Sequence, residues 1–190
     1  MGLMPPYRLL TVCTGNICRS PAAAVLLRRA LAHEGLGEQV EVGSAGTSWE
    51  AEGAPMDDRT ELALEHAGYA QPFEHEARTI HLTELLAWDL VLAMTPEHAQ
   101  TLRRMADQTP PGRTAPEIAL WRRFEPGQER TSEVELAVED PWYEGQGAFD
   151  RTVRDMHAAL PGIIAHVRAQ LSTGDSAVGD PAAGDLADER

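Results

Sequence analysis

Tyr7–Gly35 reads YRLLTVCTGNICRSPAAAVLLRRALAHEG. Its opening, Tyr7–Val12, is a short apolar run, the pattern of a buried strand. From Arg19 to about Glu34 the apolar residues Ala24, Leu27 and Leu31 fall at helical spacing. Ser20 offers an N-cap and Pro21 a first helical position, and Gly35 and Gly37 end the helix. Strand, short loop, helix start is the arrangement of an α/β unit with a site between its two elements.

The rest of the chain repeats that alternation. Gln39–Gly43 is expected to be a second strand, followed by the loop SAGTSWEAEGAP. Asp57–His66 is expected to be a helix stopped by Gly68, and Thr83–Leu86 a short helical turn. Asp89–Met94 (DLVLAM) is a third buried strand; Thr95 caps the next helix, with Pro96 at its first position, to about Met105. Residues 107–116 are rich in Pro, Thr and Gly and form a loop. Glu117–Leu120 is a fourth strand, and EDPWYEG lies in a further loop. One long helix is expected over Ala148–Leu171, kinked at Pro161. Short, uniformly apolar strands between helices indicate a parallel sheet covered on both faces. The expected fold is α/β, three layers α/β/α around a central four-stranded parallel twisted sheet of Rossmann-like type. Residues 1–171 form one domain. Residues 172–190 carry five acids and one arginine, with one valine and one leucine as their larger apolar residues, and are expected to be a disordered acidic tail.

The chain has 190 residues, 43% hydrophobic and 24% charged, with a net charge of −14. That balance argues against binding nucleic acid or anionic membranes. No apolar run reaches the roughly 20 residues of a membrane span. No export leader is expected at MGLMPPYRLLTVC, and two cysteines are too few for a disulfide framework, so a cytoplasmic protein is expected. All sixteen basic residues are arginine, which removes mechanisms built on a Schiff-base or phosphate-loop lysine. Two thiols without further cysteines, and with scattered histidines, lack the spacing of a zinc site. Neither metal nor organic cofactor is expected.

The segment Cys13–Ser20 has the residues to hold a tetrahedral anion. A loop from strand to helix aims backbone N–H groups and the positive helix end at one spot. Thr14, Gly15, Asn16, Ile17 and Cys18 would wrap the anion. Gly15 is expected where a side chain would clash, and Asn16 where left-handed backbone is needed. Arg19 supplies a planar fork for two oxygens. Cys13, at the end of the strand, is the floor of this cradle, a position that favours the attacking thiolate. Ser20 could donate to that sulfur. The spacing C-x5-R-S lets the chain curl once around the anion and bring the arginine back to the thiolate. Asp140, fixed by Pro141 and flanked by Trp142 and Tyr143, is expected to be a partly desolvated general acid.

VCTGNICRSP, with SAGT (Ser44–Thr47), HEAR (His75–Arg78), DLVLAM and EDPWY (Glu139–Tyr143), resembles the low-molecular-weight protein tyrosine phosphatase family, in the family's order. The resemblance spans roughly residues 7–171. It implies a phosphotyrosine phosphatase I-like fold and hydrolysis of phosphotyrosine monoesters in proteins or peptides through a phosphocysteine, by a monomer. It assigns Cys13 as nucleophile, Arg19 to phosphate binding, Asp140 as general acid and base, and Ser20 to thiolate stabilisation. Asn16, Ser44 and His75 would hold the loop in shape. Trp49, Trp142 and Tyr143 would be aromatic walls for a phenyl ring. Trp142 stands where many members have tyrosine. Thr79 replaces a common glutamine and Thr95 a common aspartate, both expected to be peripheral.

Three other functions compete. In the arginine phosphatases of this scaffold, threonine usually precedes the second cysteine; Ile17 here suits a flat phenyl ring. Arsenate reductases of similar fold relay a disulfide through later cysteines, and none follows Cys18. A non-catalytic phosphopeptide binder would have no need of Cys13, Arg19 and Asp140 together. Cys18 is expected to be a packing residue able to form a protective disulfide with Cys13.

Overall fold

The computed structural model describes residues 5–176. Strand β1 (Tyr7–Cys13) sits inside the sheet and sends alternate side chains to opposite faces. Leu9 and Cys13 enter one core, Leu10 and Val12 the other. Strand β3 (Leu90–Ala93) does the same, with Leu90 and Leu92 on the first side and Val91 and Ala93 on the second. With β2 (Val40–Gly46) and β4 (Glu117–Leu120) these form one parallel sheet in the order β2-β1-β3-β4.

Helices cover both faces. Helices α1 (Arg19–His33), α2 (Asp58–His66), α5 (Gln146–Met156) and α6 (Leu160–Ser176) close the first core. Helices α3 (Leu82–Leu85) and α4 (Pro96–Ala106) close the second. Each fully buried leucine, such as Leu9, Leu27, Leu90 or Leu102, is worth about 1.5–3 kcal/mol. The α/β three-layer expectation holds. No helix among the described residues is long and apolar enough to cross a membrane.

Four local expectations change. β2 runs on to Gly46, so Ser44–Gly46 is strand rather than loop; Cys13 pairs with Gly46 across the sheet. Ser, Ala and Gly are poor strand formers, and their strand state comes from β1 beside them. Helix α1 begins at Arg19 with Cys18 at the N-cap, so Ser20 and Pro21 are its second and third residues. The expected Ala148–Leu171 helix is two helices, parted by a 3₁₀ turn at His157–Ala159. Pro161 lies just past that turn, and a proline ring clashes with the carbonyl four residues before it, here His157. Finally, α6 continues through residues 172–176, expected to be disordered. Residues 177–190 of the expected tail lie outside the described residues.

Candidate active site

The loop Thr14–Cys18 leaves β1 at the carboxyl edge of the sheet and enters α1. It is pinned from outside. Thr47 and Ser48 N–H groups donate to the Cys13 and Thr14 carbonyls (3.0 and 2.9 Å), and Asp57 N–H donates to the Ile17 carbonyl (2.9 Å). Asn16 is buried with φ 56°, the left-handed conformation expected of it. Its Oδ1 accepts from Arg78 N–H (3.0 Å), and its carbonyl accepts from His75 Nε2 (2.6 Å). A carbonyl only accepts, so His75 carries its proton on Nε2. Burial holds His75 below its usual pKa, which suits this neutral form.

Ser20 joins this network to Cys13. Its Oγ lies 3.0 Å from Cys13 Sγ, accepts from Asn16 Nδ2 (2.9 Å), and donates to the Ala45 carbonyl (3.2 Å). A hydroxyl has one proton. With Cys13 as a thiol, S–H can donate to Ser20 while Ser20 donates to Ala45. With Cys13 as a thiolate, Ser20 can turn its proton to the sulfur. These bonds also explain why Ser20 does not cap α1. Ser44 is buried in β2, and the bond to Ser20 comes from the neighbouring carbonyl of Ala45.

Arg19 is 4% exposed. Nη1 donates to the Val138 carbonyl (3.1 Å), and Nη2 reaches Asp140 Oδ2 (2.6 Å) and, more weakly, Thr14 Oγ1 (3.4 Å). Its buried Nε has no partner. An unpartnered guanidinium N–H is costly unless something accepts from it. The start of α1 likewise has no side-chain cap, leaving first-turn amides for an anion. The same place therefore offers an unpartnered guanidinium N–H and the positive end of a helix. Among the described residues no group of three or more His, Cys, Asp or Glu is placed to hold a metal ion.

Residues 8–173 match the family described as Low molecular weight phosphotyrosine protein phosphatase. The chain belongs to this family. It is 39% identical over 165 residues to the low molecular weight protein-tyrosine-phosphatase of Streptomyces coelicolor, covering 87% of this chain and 96% of that one. The crystal structure of a protein tyrosine phosphatase from Entamoeba histolytica is 26% identical with a TM-score of 0.71, covering 89% of this chain and 99% of that one. A Drosophila arginine phosphatase is 25% identical with a TM-score of 0.73, covering 83% of this chain and 96% of that one. The protein is thus a hydrolase of the low molecular weight phosphatase family.

Three features of this phosphatase depart from the sequence expectations. Gly15 has no positive φ, and a Cβ there would make ordinary contacts with Ala51 and Ile17 at 3.6 and 3.7 Å. The glycine crowded against this loop is Gly46, where a Cβ would lie 2.5 Å from the Thr14 carbonyl oxygen and 3.2 Å from Asn16 N. Gly46→Ala is expected to push the anion loop out of shape, costing about 1–3 kcal/mol of stability and lowering phosphate release at least about tenfold; denaturant unfolding and steady-state kinetics check the two. Second, Asp140 is not covered by its aromatic neighbours. Its side chain is 45% exposed and paired with Arg19, while Tyr143 is 94% exposed. Third, Thr95, besides the cap expected of it, reaches a buried histidine: its Oγ1 lies 3.1 Å from His98 Nδ1.

No local pattern in the sequence points to His98. It is buried in the first turn of α4, and its Nε2 lies 2.9 Å from Thr14 Oγ1 in the anion loop. Burial first, then the Arg19 charge, lowers its pKa from 6.5 to about 4. The folded phosphatase keeps His98 neutral where the unfolded chain would take up a proton. Its contribution to stability is therefore complete above pH 6.5 and lost as pH falls through about 4. His98→Asn is expected to flatten this part of the acid decline, read as melting temperature against pH.

The remaining predicted residues differ widely in burial. Ile17 is half-buried in the loop. Cys18 is buried, and burial pushes its thiol up to about 12, as fits a packing residue. Both cysteines are unpaired as disulfides. Trp49 is 75% exposed and Trp142 40%; the Trp142 ring lies under the Arg59 guanidinium, 5.2 Å from its centroid.

Proposed function

We propose that this phosphatase hydrolyses phosphotyrosine monoesters in proteins or peptides by way of a phosphocysteine on Cys13. The observation that carries the reading is the buried Arg19 fork, with Nε unpartnered, beside a loop whose cysteine is hydrogen-bonded to Ser20. The phosphate dianion takes the Arg19 donors, the loop amides and the α1 N-terminus. In doing so it displaces Asp140 from Arg19 Nη2, which the exposure of Asp140 permits.

In the first step the Cys13 thiolate attacks phosphorus. The S–P bond forms as the P–O bond to the phenol breaks, and protonated Asp140 gives its proton to the leaving oxygen. The donors around the phosphoryl group hold the charge spread over its equatorial oxygens. In the second step water attacks phosphorus, Asp140 takes a proton from it, and the S–P bond breaks. Cys13 leaves as a thiolate, steadied by the Ser20 hydroxyl. Asn16 and His75 keep the loop in shape, and Gly46 lets it close. Ile17, Trp49, Trp142 and Tyr143 offer apolar surface to the phenyl ring.

Ile17 favours a phenyl ring over a guanidinium, although an arginine phosphatase shares the fold. Phosphate release from phosphotyrosine, phosphoserine and phosphoarginine peptides tests this. Preference for phosphotyrosine is expected; faster turnover of phosphoarginine overturns it.

A further inference from the structure

Asp57 and Arg59 open α2, outside both the anion loop and the Asp140 loop, and the chemistry above makes no use of them. Asp57 is the N-cap, its Oδ1 accepting from Arg59 N–H at 2.9 Å. A cap needs nothing more. Yet the Arg59 guanidinium doubles back onto the same carboxylate, Nε to Oδ1 at 3.0 Å and Nη2 to Oδ2 at 3.1 Å. That fork fixes its plane. The remaining nitrogen, Nη1, then donates to two carbonyls more than eighty residues away, Trp142 (3.1 Å) and Glu144 (3.2 Å). The guanidinium carbon also sits 5.2 Å from the Trp142 ring centroid and 4.3 Å from that of Phe149, both within cation–π range.

These contacts join two loops. Asp57 N–H donates to the Ile17 carbonyl of the anion loop (2.9 Å). Arg59 holds the Trp142 peptide, and Trp142 N–H donates to Asp140 Oδ1 (3.2 Å). Upstream, the Asp140 loop is tied by Val138 N–H to the Met94 carbonyl (2.7 Å); downstream, Arg59 makes the cross-chain ties to Trp142 and Glu144. Asp140 is half exposed, and in the reaction it must release Arg19. Some other contact has to keep its carboxyl over the leaving oxygen when it does.

We propose that Arg59, oriented by Asp57, is a positioning residue for the general acid: it straps the Asp140 loop to the loop that binds phosphate. The proposal rests on the reading of Asp140 as the acid. Arg59 makes no hydrogen bond to Asp140 and packs on Trp142, a wall for the phenyl ring, so its role is read by comparing two aryl esters that share that wall and differ in their need for a proton.

The test compares phenyl phosphate, whose leaving group needs a proton, with dinitrophenyl phosphate, whose leaving group does not. Arg59→Met keeps an apolar stem against Trp142 and Phe149 but removes every side-chain hydrogen bond. It is expected to lower kcat/KM for phenyl phosphate at least about tenfold and for dinitrophenyl phosphate less than about threefold. Inhibition by inorganic phosphate should stay within about threefold of wild type, since the anion loop is intact. In an Asp140→Asn background, Arg59→Met should add less than about twofold. Equal losses on the two esters, or a full additional loss in the Asp140→Asn background, overturn the strap. If Asp140→Asn alone fails to discriminate between the esters, the acid reading falls, and the strap with it. Should Arg59→Met not fold, Arg59→Lys serves. Lysine cannot hold the carboxylate and two carbonyls at once, so the same selective loss is expected in milder form, and an equal loss on both esters again overturns the proposal.

Discussion

Replacing Cys13 with serine is expected to lower phosphate release from a phosphotyrosine peptide by on the order of 10⁴-fold or more. The substitution exchanges one small buried atom for another, so the fold should persist. What is lost is the nucleophile, because a hydroxyl without a strong base nearby is a poor one at neutral pH. Ser20 is no substitute for such a base: it has one proton and no charge, and it already accepts from Asn16 and donates to the Ala45 carbonyl. The anion site itself should survive. The Cys13→Ser protein should therefore still bind a phosphotyrosine peptide, measurable by calorimetry. Residual turnover within tenfold of wild type would mean that another group attacks phosphorus.

Asp140→Asn should give a loss that depends on the leaving group. Asparagine keeps one acceptor oxygen where Asp140 uses two, so it can accept from Arg19 or from Trp142 N–H but not from both as Asp140 does now, and it cannot deliver a proton. For esters of phenols with pKa near about 10, tyrosine included, kcat/KM should fall by roughly 10²–10³-fold. For strongly activated phenols it should change little, since kcat/KM covers only the steps through release of the phenol. The second step also needs Asp140, as base. With an activated ester the variant should therefore show a burst of phenol followed by slow turnover. A uniform loss across leaving groups, without a burst, would place Asp140 in binding rather than in proton transfer.

The features legible in the sequence depend on near neighbours. The strand, loop and helix of Tyr7–Gly35, the cap at Thr95–Pro96 and the four strands all follow from short-range patterns of apolar residues and turn formers. So did the left-handed Asn16. The misreadings arose where distant contacts prevailed. Ser20 looked like a helix cap by local rules, but Cys13, Asn16 and Ala45 compete for its hydroxyl. Gly15 looked like the necessary glycine because it lies in the loop. The necessary one is Gly46, which pairs with Cys13 only once β1 and β2 are side by side. His98 meets Thr14 across 84 residues, and Arg59 meets Trp142 across 83; no local spacing announces either. Trp142 and Tyr143 were expected to shelter Asp140 as chain neighbours. Instead Trp142 lies against Arg59 and Tyr143 stands in solvent.

The claim on which the rest depends is that a phosphoryl group passes through Cys13. Rapid mixing of the protein with excess phosphotyrosine peptide, followed by a denaturing quench, catches whatever is bonded to the chain. Mass spectrometry and phosphorus NMR then locate it. A phosphoryl group is expected on Cys13 in an S–P linkage, formed within the first turnover, accumulating further in Asp140→Asn with an activated ester and missing from Cys13→Ser. Turnover of phosphotyrosine with no phosphorylated Cys13 at any time, or with the group on another residue, would contradict it.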